Sequence, residues 1–329
     1  MLNVKSCVLL LMTGIITSCT STKTCRQADA PEAVLSLWNE GKAKASIINF
    51  VQSCTDKSSS RYLPPAKRVA AFDMDGTILI EKPMYVLFDF AIKKVAEKAT
   101  ANPILTRKQP YKAVVNQDWN YLHENLYSED GMFDTLLYAT DGYTNRDYTQ
   151  AMARFFEATR HPRYQVSPKK LVYQPVVQLI NYLQSNQFDV YICSGSDPQF
   201  TRSFCTEATG VPKENVIGTT VLTKWIDGQL IRQHEFVKPL NDGPGKPVNL
   251  LNKIGKVPVI TVGNSMGDFH MLEYSKTAPH SLQLLVNHDD DQREYKYKNK
   301  KMKNVCRDQG WQEISMKHDF KTVFGNLEK

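Results

Sequence analysis

The chain has 329 residues, 42% hydrophobic and 23% charged, an ordinary globular composition that excludes a disordered, fibrous or repeat-built protein. Its 41 basic residues outnumber its 34 acidic ones by seven, an excess too mild to imply a nucleic-acid partner. The length accommodates a large core and a smaller insert.

At the N-terminus, Lys5 precedes the apolar run Val8, Leu9, Leu10, Leu11 and Met12, followed by Ile15 and Ile16. The stretch is too short to span a bilayer and reads as a cleaved export signal over residues 1–18. Its end, Ile16-Thr17-Ser18-Cys19, resembles a bacterial lipoprotein box. That resemblance implies lipidation at Cys19, with a plain secretory signal and an incidental cysteine as the alternative. Several acyl chains on one N-terminus give stable membrane attachment. Residues 19–30 are small and polar and read as a tether. Thr20 stands where an inner-membrane lipoprotein would carry Asp, so the expected address is the outer membrane, facing the periplasm or the surface. With Cys7 cleaved and Cys19 acylated, Cys25, Cys54, Cys193, Cys205 and Cys306 remain. An odd number leaves at least one unpaired or paired between chains. A bridge between Cys25 and Cys54 is open, and no CxxC pattern calls for zinc.

Helical spacing in Val34, Leu35 and Trp38, and again in Ile47, Ile48 and Val51, predicts two helices broken at Asn39-Glu40-Gly41. Val69-Ala70-Ala71-Phe72 then forms a short apolar run ending in Asp73, as a buried parallel strand does when it delivers an acid at its carboxyl end. Similar runs recur at 190–193, 257–262 and 282–286, and a helix over 171–183 feeds the second. Residues 221–226 and 229–232 flank Asp227-Gly228, a hairpin signal expected to append to the sheet. Between the first and second of the sheet strands, residues 81–167 are helical and aromatic, with no strand pattern, and read as a cap covering the strand ends. The expected architecture is α/β, with core segments 31–80 and 168–329. The lysines at 296, 298, 300, 301 and 303 read as a solvated helix face, or as a guide for anions.

Four elements fall at predicted strand ends or helix starts: Asp73-Met74-Asp75-Gly76-Thr77, Ser194-Gly195-Ser196, Lys246, and Gly263-Asn264-Ser265-Met266-Gly267-Asp268. Their order and spacing over about residues 66–290 resemble the four motifs of the haloacid dehalogenase-like superfamily, in particular its phosphatases. The branch resembled has a helical cap between motifs one and two and includes phosphoserine and secreted phosphorylcholine phosphatases. The resemblance implies a Rossmann-like parallel sheet with helices on both faces, a Mg2+ cofactor and a small phosphate monoester as substrate.

Two carboxylates one residue apart can divide the labour of phosphoryl transfer. Asp73 would attack phosphorus and become an aspartyl phosphate, while Asp75 protonates the leaving oxygen and later deprotonates water. Thr77 braces the first motif by hydrogen bonding, and the expected phosphate-binding set is Thr77, Ser194, Gly195 and Lys246. Ser194 offers its hydroxyl and backbone N–H, and Gly195 leaves room for close approach. Lys246, at a helix start, balances charge, with Lys238 as its rival. The expected metal ligands are Asp73, the Asp75 carbonyl, Asn264 and Asp268, the last directly or through water. Phosphoserine phosphatases carry Ser-Gly-Gly-Phe where this chain has Ser194-Gly195-Ser196-Asp197, and the family places Asp where Asn264 stands.

Outside the motifs, Glu81 is read either as substrate-facing or as solvating a helix. Arg160, His161 and Arg163 are read either as an anion clamp or as partners of core acids. His288 with Asp289, Asp290 and Asp291 reads as a solvated turn. Three functions remain open on sequence: phosphate-ester hydrolysis, phosphotransfer to an alcohol, and ligand binding by a surface lipoprotein on a decayed enzyme fold.

Overall fold

The computed structural model describes residues 34–329 apart from 129, 298, 299, 328 and 329. The expected signal, the tether, Cys19 and Cys25 lie outside the described residues. Strands β1 (Val69–Phe72), β2 (Asp189–Cys193), β3 (Val216–Ile217), β6 (Ile260–Gly263), β7 (Leu282–Asn287) and β8 (Gln312–Ser315) form one parallel sheet in the order β3-β2-β1-β6-β7-β8. Strands β4 (Val221–Ile226) and β5 (Gln229–Phe236) pair antiparallel as a sheet of their own. The hairpin is therefore not an extension of the main sheet. Its turn is the expected Asp227-Gly228, with φ of 47° and 79°, the left-handed pair that matches strand twist.

β1 lies at the centre because all four of its side chains are apolar and all are buried. Alternation sends Ala70 and Phe72 into one core, with Ile47 and Val51 of the helix Lys42–Thr55 and Val176 and Ile180 of the helix Gln174–Ser185. Ala71 faces the other core, with Leu250, Met271, Leu272, Met302 and Cys306. The sheet is thus covered on both faces, as a parallel sheet requires. The chain leaves β1 toward β2 on one side and later returns to β6 on the other. That switch opens a crevice at the carboxyl end of β1.

Of the two helices expected before β1, only Lys42–Thr55 forms. Residues 34–37 make a turn, with Leu35 at φ 53°. The helices Val86–Ala101, Asp134–Thr140 and Asn145–Ala158, with shorter ones between, lie between β1 and β2 in the chain, and the first two line the cavity at the strand ends. The last begins with a capping box at Thr144 and Asp147. Phe90 and Phe156 from these helices meet Phe200 of the core at ring distances of 6.3 and 5.4 Å. Cys54, Cys193, Cys205 and Cys306 are buried free thiols. Among the described residues no helix is long and apolar enough to cross a membrane. Lys300, Lys301 and Lys303 lie on the exposed side of the helix Lys300–Gln309, whose Met302 and Cys306 face inward.

Candidate active site

Three parallel strands end side by side, and each hands a polar loop to the crevice: β1 to Asp73, β2 to Ser194 and β6 to Asn264. Buried strands carry backbone bonds to their last residue, so the side chains that follow are placed within narrow limits. The Asp73 N–H still bonds the Val262 carbonyl at 2.9 Å, and the Ser194 N–H bonds that of Ile217 at 3.0 Å. The second bond corrects one expectation. The Ser194 N–H is spent in the sheet ladder, and its Oγ accepts the Ser196 N–H at 3.0 Å, leaving only its hydroxyl hydrogen to offer.

Lys246 enters from the helix Gly245–Ile254 and is nearly inaccessible to solvent. Its Nζ lies 2.6 Å from Asp73 Oδ1, 2.6 Å from Asp268 Oδ1 and 2.8 Å from the Cys193 carbonyl. Its rival Lys238 is exposed and belongs to no such cluster. Burial alone would lower the pKa of Lys246, but the carboxylates of Asp268 and Asp73 raise it well above the ordinary range. Burial, followed by the charge of Asp268, raises the Asp73 carboxyl well above its usual value against the pull of Lys246. One ammonium shared by two buried carboxylates leaves the group short of positive charge.

Asp75 stands beside them. Ser196 Oγ donates to its Oδ2 at 2.7 Å, while Oδ1 is buried and has no hydrogen-bond partner among the described residues. Burial pushes its pKa up to about 7 despite the Ser196 hydrogen bond. Gly76 follows with φ 74°, and a Cβ there would lie 1.9 Å from Asn264 Nδ2, so the turn between the first and fourth motifs accepts only glycine. Thr77 is fully buried, and its hydroxyl reaches Asp73 Oδ2 at 3.4 Å. It braces the carboxylate and is not on the cavity wall.

Asp268 is fixed from the other side. Its Oδ2 accepts the N–H groups of Asn264 and Ser265 at 2.9 and 3.0 Å. Asn264 Nδ2 lies 3.5 Å from the Tyr297 hydroxyl. Every donor gathered here is a hard oxygen, yet among the described residues no three His, Cys, Asp or Glu side chains converge as a metal cluster. The expected ligand set has two carboxylates, Asp73 and Asp268, with the Asp75 carbonyl and the Asn264 amide as neutral oxygens.

These groups open on one cavity, walled on the core side by Asp73, Asp75, Gly195, Ser196, Lys246 and Asp268. No atom lies within 4 Å of where a Cβ on Gly195 would stand, so the glycine leaves the wall open. Leu87, Phe88, Leu126, Tyr127, Phe133 and Leu136 of the helical insert form the opposite wall.

Residues 70–273 match the family of haloacid dehalogenase-like hydrolases. The chain belongs to that family. Its fold is similar to that of a protein of unknown function from Bordetella pertussis Tohama I, at 15% identity and a TM-score of 0.51, covering 75% of this chain and 98% of that one. A conserved, functionally unknown protein from Anaerococcus prevotii DSM 20548 is also similar, at 18% identity and a TM-score of 0.55, covering 87% and 96%. No curated protein matches the chain in sequence. As a haloacid dehalogenase-like hydrolase, the chain carries its polar loops at the strand ends where an open α/β sheet receives ligands.

Three further sequence readings are resolved by position. Glu81 is buried on the cavity wall beside Tyr85 and accepts a hydrogen bond from Tyr297, so it does not solvate a helix. Arg163 donates to the carbonyls of Asp291, Gln292 and Glu294, Arg160 to those of Glu157 and Thr159, and His161 Nε2 is 2.7 Å from the Lys82 carbonyl. These residues tie chain segments together away from the cavity. His288 and Asp290 are buried, which overturns the solvated turn. His288 joins the Gly76 carbonyl at 2.7 Å and Glu294 at 3.0 Å. The sequence reading missed Arg232, buried against Asp197 at 2.9 Å. Its only sequence trace was a charge in the second hairpin strand.

Proposed function

We propose that this hydrolase is a Mg2+-dependent phosphomonoesterase that forms a covalent intermediate on Asp73. The observation that carries the reading is the joining of Asp73 and Asp268 by Lys246 within the cavity that Asp75 also lines. A carboxylate oxygen of Asp73 attacks phosphorus as the ester P–O bond breaks, and Asp75 gives its proton to the departing oxygen. Water then attacks the aspartyl phosphate and loses a proton to Asp75, freeing phosphate and restoring Asp73. Lys246 holds Asp73 in place and neutralises charge, with Gly195 bordering the phosphoryl position and the fully buried Ser194 behind the cavity wall. Asp73, the Asp75 carbonyl, Asn264 and Asp268 would hold Mg2+, which fits the two buried carboxylates of Asp73 and Asp268 sharing the single ammonium of Lys246. When bound, the ion supplies electrostatic stabilisation of the transferring phosphoryl group.

Among the described residues lining the cavity, Lys246 is the only cation, while Glu81 and Asp242 add carboxylates beyond the catalytic ones. This supports a small ester whose alcohol part carries no second anionic group. Residues 81–167 act as the cap in this reading. On sequence alone we also propose lipidation at Cys19 and a site of action in the cell envelope, which mass spectrometry of the mature N-terminus tests.

The test of the activity is hydrolysis of p-nitrophenyl phosphate with Mg2+, with and without chelator, by the wild type and D73N. Loss of turnover in D73N and under chelation is expected. Full activity in D73N would sink the mechanism.

A further inference from the structure

The loop after β2 departs from the phosphatase pattern at Ser196 and Asp197, and the structure gives both residues defined partners. The Ser196 backbone is held at each end: its N–H bonds Ser194 Oγ at 3.0 Å and its carbonyl accepts the Thr219 N–H at 3.1 Å. Asp197 Oδ1 caps the short helix Pro198–Arg202 through the N–H groups of Gln199 and Phe200, and its Oδ2 takes Arg232 at 2.9 Å. The Arg232 Nε reaches Thr140 Oγ1 at 3.1 Å, and its guanidinium lies 3.9 Å from the Tyr148 ring centroid. Both of those residues belong to the helical insert. The one rotatable group left to Ser196 is its hydroxyl, which points at Asp75 Oδ2.

We propose that Ser196 is a positioning residue that selects which oxygen of Asp75 delivers the proton to the leaving group. A hydroxyl donating to Oδ2 makes that oxygen an acceptor, so the carboxyl proton resides on Oδ1, which has no protein partner among the described residues. As the bond from Asp73 to phosphorus forms and the ester P–O bond breaks, the proton passes from Oδ1 to the departing alkoxide, which leaves as a neutral alcohol. The Asp75 carboxylate then accepts a proton from the attacking water, whose oxygen remains in the released phosphate. Asp197 and Arg232 keep the Ser196 backbone in register for this. The inference rests on the phosphoryl-transfer reading given above.

Leaving groups separate this role from a merely structural one. An alkoxide is a poor leaving group and needs the proton, whereas 2,4-dinitrophenolate departs without it. Single-turnover release of alcohol from glycerol 2-phosphate and of phenol from 2,4-dinitrophenyl phosphate is measured for wild type, S196A and S196T, with thermal melting alongside. S196A should lose at least about tenfold on the alkyl ester and change less than about twofold on the aryl ester, and S196T should recover the alkyl rate. Equal losses on both esters, an unchanged alkyl rate in S196A, or no recovery in a folded S196T would overturn the role of Ser196. A wild type inactive on both esters would instead overturn the phosphatase reading and this inference with it.

Discussion

Two buried ionic clusters lie on either side of the loop 194–197, and they are built to different standards of completeness. At Asp197 and Arg232, one carboxylate meets one guanidinium, with two helix N–H groups on the other carboxylate oxygen and a threonine hydroxyl and an aromatic face against the guanidinium. At Asp73, Lys246 and Asp268, two carboxylates share one ammonium, and Asp75 next to them has an oxygen with no partner among the described residues. Both clusters are buried to within a few per cent of full inaccessibility. A complete buried pair fixes geometry and is costly to break, whereas an incomplete one keeps charge in reserve for something that enters the site. The first joins hairpin, helical insert and core and reaches the cavity wall only through Asp197; all three residues of the second line the cavity.

Matched substitutions test that contrast, and the largest effect belongs to the incomplete cluster. K246M removes the only cation on the described cavity wall, and kcat/KM on an aryl phosphate should fall about 10^2- to 10^3-fold, the range seen when one preorganised electrostatic partner is lost. Its stability loss should be the smaller of the two variants, because Asp268 Oδ2 keeps the N–H groups of Asn264 and Ser265, and burial already raises the Asp73 carboxyl so that it can go neutral once the ammonium is gone. R232M strands Asp197 in a buried site, so a loss of about 3–5 kcal/mol in urea unfolding is expected. Similar stability losses in the two variants would break the comparison.

A third buried group ranks below these. His288 connects the Gly76 carbonyl to Glu294, whose other oxygen receives the Tyr173 hydroxyl at 3.2 Å. H288A leaves buried polar groups without their donor, and a stability loss of about 1–3 kcal/mol is expected. Because Gly76 adjoins Asp75, activity in the folded fraction should fall as well. Unchanged specific activity would show that Gly76 is held adequately by the neighbouring backbone.

Features whose cause is local were legible in the sequence. Four apolar runs located β1, β2, β6 and β7, because a strand buried on both faces writes itself as consecutive apolar residues. Asp227-Gly228 located the hairpin turn, and the strand ends located Asp73, Ser194 and Asn264. What the sequence hid depends on partners far along the chain. β3 has only two residues, and β8 reads Gln-Glu-Ile-Ser with Ile314 alone fully inside, so neither shows a period. His288 looked like the start of an acidic turn because its bond to Gly76 spans 212 positions. Arg232 and Asp197 are separated by 35 positions and by a change of sheet. Ser194 shows the same limit: its position was legible, but the use of its N–H by Ile217 was decided by a two-residue strand that no local pattern marks.

The smallest expected effect supplies the control for the whole comparison. Lys303 and Glu313 are 3.1 Å apart, close to the 2.9 Å between Asp197 and Arg232, yet their side chains are 44% and 36% exposed. If proximity of charge decided stability, this bond would rank with Asp197 and Arg232. Burial decides it instead: water and salt screen an exposed pair, and ordering the long lysine side chain offsets much of the attraction. Glu313 also accepts Asn287 Nδ2 at 2.7 Å, so it keeps a partner when the lysine is removed. K303A should therefore change stability by less than about 0.5 kcal/mol, leave kcat unchanged, and show a difference that shrinks further in 1 M salt. A loss in K303A approaching that of R232M would mean that burial is not what separates the two clusters, and the assignment of Asp197 and Arg232 as a fastening would fall with it.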